Sequence, residues 1–259
     1  MSTQNSTHNA GQRLAELLAL SRELGLPERR MAILGEGNTS TRIDAETFLV
    51  KASGSSLSTL AEADVVACRF APLLALLERS QPSDDEVDET LLASRIDPAA
   101  RKPSVEAVFH AWLLSQPGVD WVGHTHPVTI NSILCSPRAR ELADHRLCPD
   151  EVVCCGPASV FVPYTDPGLA LARAIRRGTE QFRATHHMEP RVVLLQNHGI
   201  ITFGPTAAAV RAAMSMTEKA ASIFLGAAAL GGPCFLRPED IARIGGRRDE
   251  HYRQRALNL

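Results

Sequence analysis

Short apolar runs that stop abruptly in small polar residues punctuate this chain, and nothing else in it restricts the fold as strongly. Residues 31–34 run into Gly35-Glu36-Gly37-Asn38-Thr39-Ser40, and residues 48–51 into Ala52-Ser53-Gly54-Ser55-Ser56. Residues 119–123 deliver His124-Thr125-His126, and residues 192–195 deliver Gln196-Asn197-His198-Gly199. Runs this short read as strands, each handing the chain to a loop of hydrogen-bonding residues. Residues 152–153, 160–162 and 200–203 read as further strands, the first of them taking in Cys154-Cys155.

Helical spacing fills the intervals. Leu14, Leu17, Leu18 and Leu24 mark a first amphipathic helix over 11–26, stopped by Gly25-Leu26-Pro27. Residues 65–78 read as a helix with Leu73, Leu74, Leu76 and Leu77 as its buried stripe, and the acidic stretch 80–100 as a surface excursion. Pro103-Ser104 opens a helix carrying Glu106 and His110 one turn apart. Pro127 opens another, Asp166-Pro167-Gly168 starts one running toward Arg177, and 206–230 is the longest. Alternating elements with no break in composition imply one α/β domain, over 10–245, with terminal tails at 1–9 and 246–259.

A composition of 44% hydrophobic and 22% charged residues is that of a globular core. The net charge of -2, with cations spread along the chain, offers no attraction to nucleic acid or an anionic membrane, so the expected partner is a small molecule. No run approaches the roughly 20 apolar residues of a spanning helix, and the first nine residues lack a signal pattern, so a cytoplasmic location is expected. Cysteines at 68, 135, 148, 154, 155 and 234 lack zinc-site spacing and read as reduced thiols.

His124 and His126, two residues apart at the end of a strand, leave an extended backbone on one face. With His198 they form a nitrogen-rich set suited to a divalent metal with a position open to substrate. A hydrogen-bonded core pair or a plain surface pair is the alternative reading of the same spacing. Glu106 fits a general acid/base or a fourth ligand, against the alternative of a solvated helix glutamate, and His110 fits a supporting or packing role. The loops containing Asn38, Ser53 and Gly54 can present amides and hydroxyls to an anion.

The ordered set GEGNTSTR (35–42), VKASG (50–54), PSVEAVFH (103–110), GHTHP (123–127) and NHGIITFG (197–204) resembles the class II aldolase/adducin family over about residues 10–245. The resemblance implies a single-domain three-layer α/β/α sandwich with a central, mainly antiparallel sheet, often assembled as a homotetramer. It implies a metal on His124, His126 and His198, zinc before manganese, cobalt or magnesium, with Glu106 as acid/base that also ligates the resting metal. Asn38, Ser53, Gly54 and Ser104 fall where the family holds the anionic end of its substrate. The implied reaction is reversible retro-aldol cleavage of a small hydroxyketone or sugar phosphate through a metal-stabilised enediolate. Decarboxylation or epimerisation on the same site and an adducin-like scaffold are the rivals.

Two departures stand out. Val105 follows Ser104 where the sugar-phosphate enzymes carry a second serine, and 148–152 lacks the tyrosine expected of a fuculose-phosphate aldolase. Tyr252, in a basic C-terminal tail, fits a lid over a site or a disordered end.

Overall fold

The computed structural model describes residues 2–256 and 258. Among these, seven strands form one sheet: β1 (Asn38–Arg42), β2 (Thr47–Lys51), β3 (Val65–Arg69), β4 (Trp121–Thr125), β5 (Val160–Val162), β6 (Val192–Leu195) and β7 (Gly199–Gly204). Their spatial order is β3-β2-β1-β4-β7-β6-β5, and every pairing is antiparallel except β5 with β6.

The two-residue period of the strands divides the core into two layers. Phe48 and Val50 of β2 join Val122, Val193, Leu195 and Ile201 on one face, packed under α2 (Phe70–Glu78), α3 (Asp84–Ser94), α4 (Ala107–Leu114) and α8 (Leu169–His186). Leu49, Trp121, Val192, Leu194 and Ile200 face the other way. That layer holds α1 (Ser2–Leu24), α5 (Val128–Leu134), α6 (Ala139–Asp144), α7 (Pro149–Cys155) and α9 (Ala207–Ala229). All four residues of β6 are buried because helices cover both faces, which is why its sequence shows no polar alternation. The chain closes with α10 (Pro238–Gly245) and α11 (Arg248–Ala256). The first helix thus begins at Ser2 and the last lies within 246–259.

Several elements differ from the sequence expectation. Residues 31–34 form no strand: Met31 accepts one hydrogen bond, from the His126 amide at 2.8 Å, and Leu34 adopts a left-handed φ of 55° at 85% exposure. Residues 38–40 are strand rather than loop, pairing with both β2 and β4. Residues 65–69 are the edge strand β3, not the start of a helix; Val66 and Cys68 point inward, and the leucine stripe begins only after Phe70. Residues 152–155 lie on α7, opened by Pro149, because a short apolar run does not distinguish a strand from a buried helix. The acidic stretch contains α3, started by a capping box between Ser83 and Glu86.

Candidate active site

The histidines meet because β4 and β7 lie side by side. His124 pairs with Ile201 and Thr125 with Ile200, so the end of β4 lies against the turn carrying His198. Gly199 makes that approach possible, since a Cβ there would lie 2.4 Å from the Thr125 carbonyl oxygen and 2.9 Å from the His126 ring. Gly37 has the same role opposite, where a φ of 70° and a would-be Cβ contact of 2.7 Å with the His124 carbonyl admit only glycine. The His198 turn is further fixed by Asn197 at a left-handed φ of 55° and by Asn131 Nδ2, which donates to the His198 carbonyl at 2.9 Å.

One nitrogen from each of His124, His126 and His198 lies within 4.8 Å of the others. His124 is fully buried, and its Nδ1–H donates to the Ile200 carbonyl at 3.0 Å. A carbonyl can only accept, so the neutral ring turns an Nε2 lone pair toward His126 Nε2, 3.0 Å away. Burial, and then the neighbouring imidazoles, push the His124 and His126 pKa values down to about 3. His198 is lowered by burial against the opposing pull of Glu106. Three neutral imidazoles converging on one point are a donor set that could hold a divalent metal, and the residues fit one.

Glu106 stands at the N-cap position of α4, with its carboxylate making no capping bond. Its Oε1 lies 3.6 Å from His124 Nε2 and 3.5 Å from His198 Nε2. Its Oε2 accepts from Asn38 Nδ2 at 2.6 Å. Asn38 is held in turn: its Oδ1 accepts from His110 Nε2, and His110 Nδ1 accepts from the Ser40 hydroxyl at 2.6 Å. This order follows because the amide oxygen can only accept, which fixes the His110 tautomer. His110 is completely buried, and its pKa is held well below the usual imidazole range by that burial. It touches the carboxylate's partner rather than the three-histidine cluster, in keeping with a supporting residue.

Ser53, Gly54 and Ser104 lie on two adjoining loops. The Ser53 amide donates to the Lys102 carbonyl at 3.0 Å, and Ser104 Oγ accepts from the Glu106 amide at 3.2 Å. Two cations here escaped sequence reasoning. Lys51 is 2% exposed, donates to the Gly35 and Ser55 carbonyls, and is lowered to about 8 by burial. Arg101 donates to Ser55 Oγ at 2.8 Å and the Ser53 carbonyl at 3.1 Å, and pairs with Asp64. Lys51 lies inside the VKASG segment, but a lysine in a strand sequence gives no sign that it will be buried.

The tyrosines divide between the two ends of the sheet. Tyr252, on α11, is 70% exposed, and its neighbours Arg253 and Gln254 bond Asp150 and the Val153 carbonyl of α7. Arg191, just before β6, also bonds Val153, so α11 sits at the end of the sheet opposite His198 in the same chain. Val152 lies there too, against Ile244 of α10. Tyr164 follows β5 on the histidine side, with its amide donating to Gln196 Oε1 at 3.4 Å and its hydroxyl to Asp166 at 3.0 Å. It is the tyrosine that the fold carries toward the cluster.

Residues 15–225 match the family described as Class II Aldolase and Adducin N-terminal domain. The chain belongs to that family. It is 30% identical over 199 residues to "Uncharacterized oxidoreductase YuxG" of Bacillus subtilis (strain 168), a match covering 74% of this chain and 26% of that protein. The chain therefore spans about a quarter of that relative's length. Among solved structures it is similar to the N-terminal class II aldolase domain of a conserved Thermoplasma acidophilum protein, at TM-score 0.62 and 25% identity, covering 81% of this chain and 92% of that one. An L-fuculose 1-phosphate aldolase superposes at TM-score 0.67 with 17% identity, covering 90% and 94%. A sugar-phosphate aldolase from Thermotoga maritima gives 0.65 and 16%, covering 87% and 98%. The last two show the shared fold. Within the described residues no helix is long and apolar enough to cross a membrane.

Proposed function

We propose that the chain is a metal-dependent lyase performing reversible retro-aldol cleavage of a small hydroxyketone with an anionic end. One observation carries this: three neutral imidazoles converge on one point, and a carboxylate oxygen faces two of them at 3.5 and 3.6 Å. His124, His126 and His198 would hold the metal, zinc being the first choice for an all-imidazole set, with Glu106 as a fourth ligand at rest. Bound there, a divalent ion supplies Lewis acidity toward negative charge on substrate oxygens.

The chain's own groups do the rest. Asn38 holds Oε2 of Glu106, leaving Oε1 to take and return a proton at the carbon beside the carbonyl. Lys51, Arg101, Ser53, Gly54 and Ser104 supply the charge and hydrogen-bond donors for the anionic end. Ile33 and Leu34, 55% and 85% exposed beside the Gly35–Gly37 turn, support a homo-oligomer, a tetramer in our reading, in which a neighbour covers this rim. A cytoplasmic setting and a role in carbohydrate metabolism complete the proposal.

Decarboxylation of a carboxylated substrate is the second reading. Val105 favours it, because that side chain packs on the core instead of presenting a second hydroxyl to a phosphate. The deciding experiment measures metal in the protein and in His124→Ala, then screens hydroxyketone phosphates for an aldehyde product and β-keto acids for carbon dioxide. About one metal per chain, lost in the variant, with aldehyde released, supports the lyase. Carbon dioxide in place of aldehyde replaces it with the decarboxylase, and a protein that binds no metal after reconstitution removes both.

A further inference from the structure

A cavity of about 580 Å³ lies at the end of the sheet away from the histidines. Strand β7 runs from Gly199, beside His198, to Gly204 on the cavity wall, roughly 17 Å at about 3.4 Å per residue. Val119, Val152, Phe203, Pro205 and Ile241 make most of the lining apolar. The volume falls within the range of small-molecule sites.

Arg191 is the polar group that gives the cavity a preference. Its Nη1 donates to the Val153 and Cys154 carbonyls at 2.7 and 3.3 Å, which pins the guanidinium against the last turn of α7. Among the described residues, no carboxylate pairs with it, and its Nε and Nη2 make no hydrogen bond. Glu189, the carboxylate in the lining, is taken by Arg183 at 2.8 Å. A cation at an apolar cavity without a counter-ion attracts a ligand that brings one, and the free edge of a guanidinium matches a carboxylate in shape. A phosphate dianion is a poorer fit, since the lining supplies a single unpaired cation.

The wall closing this cavity lies beyond residue 225, where the family match ends. Helix α10 is anchored by Ile241 and Ile244 on Val152 and Val153. Helix α11 rests on polar contacts, the Arg253–Asp150 ion pair and the Gln254 bond to Val153. The cavity thus joins walls of the matched domain, Arg191 among them, to one wall supplied by the segment beyond it.

We infer that this cavity is a second ligand site, separate from the histidine cluster, which takes a small carboxylic acid with an apolar body. Isothermal titration of octanoate into the full chain tests it, with 1-octanol as the uncharged counterpart. The expected result is one octanoate per chain, with 1-octanol at least tenfold weaker. Arg191→Met should weaken octanoate at least tenfold, Arg191→Lys should bind more tightly than Arg191→Met but more weakly than the unaltered chain, and His124→Ala should leave it unchanged. Ala242→Trp, which fills the cavity from α10, should abolish binding. No octanoate uptake, full affinity in Ala242→Trp or Arg191→Met, or loss of binding in His124→Ala would overturn the assignment.

Discussion

Replacing Asn38 by leucine isolates the relay that orients Glu106. The substitution keeps roughly the same bulk in a side chain that is 3% exposed, and removes both of its polar bonds. The lost donor to a carboxylate is a hydrogen bond to a charged group, about 1.5–3 kcal/mol, and the His110 N–H left unpaired costs about 1–3 kcal/mol. Added apolar burial offsets roughly 1 kcal/mol. The variant should therefore lose about 2–5 kcal/mol of unfolding free energy in urea. Metal content should stay at the wild-type level, because the Asn38 side chain bonds Glu106 and His110 but none of the three clustered histidines, and its backbone pairing with β4 is unaltered. Turnover should fall about 10- to 100-fold, the equivalent of about 1.4–2.7 kcal/mol in the barrier, as Oε2 loses its anchor. Ser40→Ala, at the far end of the relay, should show the same pattern at about 1 kcal/mol. A folded Asn38→Leu protein with unchanged turnover would refute the relay, and so would loss of the metal.

Glu106→Gln should retain metal on the three histidines while turnover drops at least 100-fold, read by elemental analysis beside steady-state kinetics. The metal-free protein should weaken in acid. His124 ionises near 3 when folded and near 6.5 when unfolded, so between those values the unfolded chain binds more protons and stability falls with pH. For His124 alone, going from pH 7.5 to 5 should cost about 2 kcal/mol at about 1.4 kcal/mol per pH unit below 6.5, measured by urea unfolding of the metal-free chain. Gly199→Ala should lose at least about 2 kcal/mol or fail to fold, since a Cβ at 2.4 Å from a backbone oxygen forces β4 and β7 apart; a wild-type melting temperature would contradict this.

Where the sequence reading of elements went astray, the cause was tertiary. Residues 65–69 carry the leucine-rich context of a helix, yet the open edge of β2 accepts Val65 to Arg69 in full register from Lys51 to Thr47. Residues 152–155 show β-branched residues and cysteines in a row, but the last turn of α7 is apolar on every side because α9 covers one side of the helix and α10 the other. Local patterns carry period and burial; they do not say which neighbour will arrive to supply the burial.

Residue chemistry and spacing alone brought forward His124, His126, His198 and Glu106, since few side chains ligate metals or move protons and an alternating pair on a strand shares a face. Motif order indicated the family and with it a mainly antiparallel sheet under two helical layers. What only the folded chain decided was direction and company: that His124 turns its Nε2 to the cluster because Ile200 takes its other nitrogen, and that Asn38 reaches Glu106 across 68 positions of sequence. It also decided that Lys51 and Arg101 gather at the small-residue loops, and that Tyr164 rather than Tyr252 lies at the histidine end within the chain. Hydrogen bonds and charge pairs depend on distances of a few ångströms between residues far apart in sequence, and those distances exist only once the strands have paired.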